Sequence, residues 1–213
     1  MKKKTLRPAL AVSLVGIMAA MLECIKLALA FLPNIEAVTL FTALFGYCFG
    51  ILGVIATVVF VMIEPIIYGF GSWVISYFLY WPLVALVFML LRKARIGGRV
   101  IPTAVAVALT LWFGVLTSLV DVGLFMGAFD NFFYRFFVLY ARGIVFYALQ
   151  VGSNTVLFLL LFPFLSSLLL KVRFRLGLSE IGRASKRASD GEMSLPNGAK
   201  EPPTESLPQS DLN

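Results

Sequence analysis

The residues able to do chemistry in this chain are few, and they stand inside or beside long apolar runs. One group is Glu64-Pro-Ile-Ile-Tyr-Gly-Phe-Gly-Ser-Trp73, which includes Tyr68 and continues to Tyr77, Tyr80 and Trp81. Trp73, Tyr77 and Trp81 recur every four residues, which aligns them on one helical face. A carboxylate, two glycines that let backbone approach closely and a wall of rings would suit a flat, polar small molecule. The same aromatics could instead form an interfacial belt, although Tyr80 and Trp81 lie deeper than a belt should reach. A second group, Tyr147, Gln150 and Asn154, follows spacings of three and four, giving a polar stripe on an apolar helix with Arg142 above it. Such amides either bond a neighbouring helix or face a ligand. Arg142 is either a solvated cation or a partner for a ligand carboxylate or phosphate. The third group is the stretch 31–39, where Pro33 and Asn34 break the first helix. There Glu36 can cap the next helix, a negative charge meeting the positive end of the dipole; the alternative is a loop that covers or gates a ligand.

Glu23 and Lys26 are the only charges in the stretch 8–32. Their spacing of three favours a pair on one helix face; a proton relay with Glu64 is the other reading. What is missing narrows the field further. The chain has no histidine, hence no imidazole acid–base chemistry and no HExxH zinc site, and it lacks a GxxxxGK[ST] phosphate loop and a GxSxG elbow. Cys24 and Cys48 sit in apolar runs without metal-like spacing and read as small hydrophobes. The expectation is a protein that is not an enzyme, with no catalytic residue, no metal and no cofactor, and that takes any driving energy from another chain.

The elements that must position these groups are membrane helices. Of the 213 residues, 60% are hydrophobic and 14% charged, against roughly a quarter charged in soluble domains. The runs 37–63, 65–91, 100–120 and 143–170 carry no charge at all, and a span takes about 20 apolar residues. The stretch 8–32 is too long for a removable signal peptide and lacks a small-residue cleavage site at its end, so it reads as a retained first helix. The net charge of +7 does not point to nucleic acid, because the basic residues flank the apolar runs rather than forming a face.

Those basic clusters decide the count. Lys2, Lys3, Lys4 and Arg7 precede the first helix, Arg92, Lys93, Arg95 and Arg99 fill a central loop, and Lys171, Arg173 and Arg175 follow the last run. Cytoplasmic loops carry the excess of Lys and Arg, so all three should share one side, which five crossings forbid. Gly46, Gly50 and Gly53 mark a reversal in the long run after residue 37. The fold expected is therefore an all-α integral membrane bundle of six transmembrane helices with both termini cytoplasmic: a short helix near 37–49, a turn at 50–53, and helices near 52–68, 73–91, 100–122 and 140–171. Glu23, Glu36, Glu64, Asp121 and Asp130 then all gather toward the outer side. Residues 1–175 form this domain. Residues 176–213, rich in Ser, Pro, Gly and Glu, should be a disordered cytoplasmic tail.

In the first helix Ala9, Ser13, Gly16 and Ala20 fall at steps of four, three and four, a smooth face that lets another helix approach closely. Together with Leu32-Pro-Asn-Ile-Glu-Ala-Val-Thr-Leu-Phe41 and the stretch from Glu64 to Trp81 ending Tyr-Trp-Pro-Leu, this face resembles the substrate-binding S components of energy-coupling factor (ECF) transporters. The resemblance spans roughly residues 5–172. It implies a six-helix protein of the cell (inner) membrane that captures a vitamin or related micronutrient from outside. The loop containing Asn34 and Glu36 would cover the site; Trp73, Tyr77, Tyr147 and Gln150 would wall it. The family's Ala-x-x-x-Ala docking face has its nearest matches here in Ala9-x-x-x-Ser13 and Gly16-x-x-x-Ala20. The implied partners are a transmembrane coupling subunit and two cytoplasmic ATPases. A stand-alone proton-coupled transporter or channel using Glu23, Lys26 and Glu64 is the competing expectation; an intramembrane lipid enzyme lacks the acids and histidines it would need.

Overall fold

The computed structural model describes residues 8–32, 35–125, 131–176 and 178. They form six helices, with no strand among the described residues: α1 Pro8–Ala28, α2 Val38–Phe49, α3 Ile51–Tyr68, α4 Ser72–Lys93, α5 Val100–Val120 and α6 Phe132–Arg175. A π-helical turn, Asp121–Phe125, extends α5. Five helices are long and apolar enough to cross a membrane, and α2, at 12 residues, is shorter. The chain thus has the make-up of a multi-pass membrane protein. The expected tail lies outside the described residues beyond 178.

The short helix is the centre of the bundle. Eleven of the twelve residues of α2 are buried, packed by α4, α6 and α3. Small residues make that possible. A Cβ on Gly46 would stand 2.0 Å from the Ala85 carbonyl oxygen of α4, and one on Gly53 would stand 2.2 Å from the Phe45 carbonyl oxygen. The reversal between α2 and α3 is a single residue, Gly50, at φ 64° and ψ −129°, a conformation open to glycine alone. The turn expected over 50–53 therefore contracts to Gly50, and Gly53 serves instead as a contact residue inside α3.

Helix α6 starts at Phe132, not near 140, and runs 44 residues, about 66 Å at 1.5 Å per residue. Its aromatic first turns continue the helical register, with Phe136 stacked on Tyr140 at 6.0 Å. Membrane thickness did not bound this helix because only part of it needs to lie in hydrocarbon.

The two ends of the bundle differ in charge. At one, the Arg173 guanidinium donates to the Cys48 carbonyl at the C-terminus of α2 (2.7 Å), where a cation meets the negative end of the helix dipole. Arg92 lies over the Tyr47 ring at 5.3 Å, and the Tyr47 hydroxyl donates to the Ile96 carbonyl at 3.1 Å. Two basic clusters distant in sequence thus share the C-terminal end of α2. Its N-terminal end meets Glu36 and the middle of α6, where the acids collect.

Candidate functional site

At the acidic end a cavity of about 260 Å³ opens between the chain leaving α1 and helices α4, α5 and α6. Tyr77 and Trp81 of α4, Phe113 of α5 and Tyr147 of α6 form its aromatic walls, and Lys26, Glu36 and Gln150 bring the polar groups. Leu29, Ala30, Leu32 and Ile35 close it from the side of the α1–α2 connection. Tyr77 and Trp81 meet edge to face at 5.8 Å, an arrangement rings favour. The Tyr147 ring occupies its place because Gly114 and Gly143 carry no side chain: a Cβ would stand 3.0 Å from the ring at the first and 2.5 Å at the second.

Glu36 does not cap α2. The residue at the N-cap is Ala37, with no side-chain cap bond. Instead Glu36 Oε1 accepts from the Thr39 hydroxyl (2.7 Å) and from the Gln150 amide (3.1 Å), joining the α1–α2 connection to α6. Glu36 as a whole is half-buried and lines the cavity. Burial among protein atoms raises its pKa from the ordinary 4.5, while the bonds from Thr39 and Gln150 and the Lys26 charge oppose that rise.

Behind the cavity lies a second polar network. Lys26 forms an ion pair with Glu64 across α1 and α3, so the i,i+3 pair of Glu23 with Lys26 expected from spacing does not form. Glu23 instead accepts from the Tyr68 hydroxyl at 3.0 Å. The Lys26 ammonium also sits over Tyr68, Tyr77 and Trp73, with centroid distances of 4.2, 5.3 and 5.9 Å. An ammonium among rings gains from their quadrupoles, and here it ties the cavity to the acids behind.

Several buried polar atoms have no partner: Trp81 Nε1, Thr42 Oγ1 and Asn154 Oδ1. Of these residues Trp81 also lines the cavity. A buried donor left unpaired carries a free-energy cost.

Of the candidate ligand contacts and aromatic wall residues read from the sequence, Glu36, Tyr77, Trp81, Tyr147 and Gln150 line the cavity. Trp73 stands beside Tyr77 at 5.1 Å, and Glu64 and Tyr68 belong to the network behind. Asn154 donates to Thr110 at 3.0 Å, a bond between α6 and α5. Arg142 is exposed and lines a separate groove along α6 with Tyr134 and Val138, not the cavity. Asn34 lies outside the described residues. Sequence reasoning passed over Lys26 as a cavity residue, although a lone cation in an apolar helix was a usable signal; Phe113, one ring among many, offered none. The four small residues of α1, Ala9, Ser13, Gly16 and Ala20, are all exposed, and a Cβ on Gly16 would meet open space.

No family model, curated protein or solved structure matches this chain.

Proposed function

We propose that the chain is the substrate-binding S component of an ECF-type ABC importer in the cytoplasmic membrane, crossing it six times with both ends in the cytoplasm. It captures a vitamin or related micronutrient from outside and delivers it by reorientation driven by partner ATPases. The observation that carries this reading is the cavity: aromatic walls on three helices, one cation, one carboxylate and one amide, at the acidic end of the bundle. A volume of about 260 Å³ falls just below the usual range for small-molecule sites. It favours a compact planar ring system, such as a pyrimidine precursor or thiamine, over a corrinoid. The outward face of Ala9, Ser13, Gly16 and Ala20 is available to a transmembrane coupling subunit, and that subunit's two ATPases would supply the nucleotide site the sequence lacks. Such a protein holds its ligand without ATP. Native mass spectrometry of the protein purified alone should find a bound small molecule, lost in Gln150→Leu and Trp81→Phe. An empty protein that binds nothing from a vitamin panel overturns the reading.

A stand-alone proton-coupled transporter is the alternative, favoured by one observation, the Lys26–Glu64 ion pair within the helices. Proton-driven uptake by this chain alone in liposomes, abolished by Glu64→Gln, would select it.

A further inference from the structure

The network behind the cavity holds two acids and one base. Glu23 and Lys26 come from α1, and Glu64 and Tyr68 from α3; Tyr77 of α4 faces Lys26, whose charge also acts on Glu36 in the α1–α2 connection. Glu64 is fully buried and Glu23 is 9% exposed. Each carboxyl has one oxygen satisfied, Glu64 Oε2 by Lys26 and Glu23 Oε1 by Tyr68. The other oxygen of each, Glu64 Oε1 and Glu23 Oε2, is buried without a donor, and the charge on Glu23 acts on Glu64. Two ionised carboxylates here would leave an uncompensated negative charge in an apolar interior, where ionisable groups are costly, and two acceptor oxygens without a donor. A single added proton removes both faults: one carboxyl becomes a donor to the other, and the group of three charges becomes neutral with Lys26.

We propose that Glu23 and Glu64 hold one proton between them at neutral pH, a proton-binding site set between α1 and α3 beside the ligand cavity. The site stands on the charge count and the two orphaned oxygens, so it holds whether or not the cavity takes a micronutrient. Lys26 links the two: it lines the cavity and balances the pair, so a ligand anion that draws Lys26 away leaves the acids in need of a second proton.

Infrared spectroscopy of the full chain in detergent, compared in water and heavy water, reads the carbonyl stretch of a neutral carboxyl. At neutral pH the wild type should show this band. Glu23→Gln and Glu64→Gln should each abolish it, since either change leaves one ionised acid matched by Lys26. Glu36→Gln should keep it, and Lys26→Met should raise it about twofold as both acids become neutral. No band in the wild type, a band that survives both single substitutions, or one lost only in Glu36→Gln each overturns the proposal. Where a substituted chain fails to fold, titration of the band in Glu36→Gln decides: a band gone by the pH at which ordinary carboxyls ionise overturns it, and one that persists to neutrality supports it.

Discussion

Glu36 is pulled in two directions by its surroundings. It lies between α1 and α2, outside the spanning helices, and burial raises its pKa above the ordinary 4.5 while Thr39, Gln150 and Lys26 work against that. With a raised value the folded protein keeps its proton to higher pH than the unfolded chain does. Folded stability must then fall as pH climbs from about 4.5 through the raised value. Glu36→Gln, which cannot ionise, should flatten that fall when melting temperature in detergent is followed against pH. Gln150→Leu should steepen it, because it removes a donor to the ionised form. A hydrogen bond to a charged group contributes about 2 kcal/mol, so the deficit of Gln150→Leu should be near that at neutral pH and shrink under acid. Two parallel profiles would show that Gln150 does not act on the Glu36 carboxylate. The contact itself joins residues 114 apart in sequence. The polar stripe on α6 was legible from its spacing; its partner was not, because a period within one helix says nothing about which loop it will face.

At the scale of elements, the glycines sort into two kinds that sequence alone does not separate. Gly46 and Gly16 both sit in apolar helices, yet a Cβ on the first runs into the backbone of Ala85, whereas one on the second meets nothing within 4 Å. Backbone cannot swing aside as a side-chain tip can, so Gly46→Ala should destabilise the bundle by about 3 kcal/mol, the upper part of the overpacking range. Gly16→Ala should stay within about 0.5 kcal/mol of wild type. Thermal unfolding of the two variants in one detergent checks the contrast, and equal losses would mean that α2 does not approach α4 as closely as described. The helices were readable in outline because a charge-free run of span length admits few other structures. Their limits were less so: the α2–α3 turn needed only one glycine, and the aromatic start of α6 looked like a loop because hydropathy marks hydrocarbon, not helix.

For the whole molecule, the consequential feature is the separation of charge along the bundle. Arg92 and Arg173 converge on the C-terminal end of α2 through Tyr47 and Cys48, while Glu23, Lys26, Glu36 and Glu64 gather near the other end. Positive loops stay in the cytoplasm during insertion, so the basic end should face inward and the cavity outward, and α2 must then complete a crossing although it is only about 18 Å long. A helix that short can do so because its neighbours bury it and few of its residues need touch lipid. The disposition is open to measurement through single cysteines introduced into a Cys24→Ser background, which removes the exposed native thiol and leaves the buried Cys48. Ile35→Cys, at an exposed position beside the cavity, should react with an impermeant maleimide applied to intact cells. Lys93→Cys, exposed at the basic end, and Lys3→Cys should react only after the membrane is opened. Labelling of Lys3→Cys and Lys93→Cys from opposite sides would leave an odd number of crossings between them, and α2 would then be a buried helix that enters and leaves by the same face. The cavity would keep its geometry in that case but lose its outward mouth.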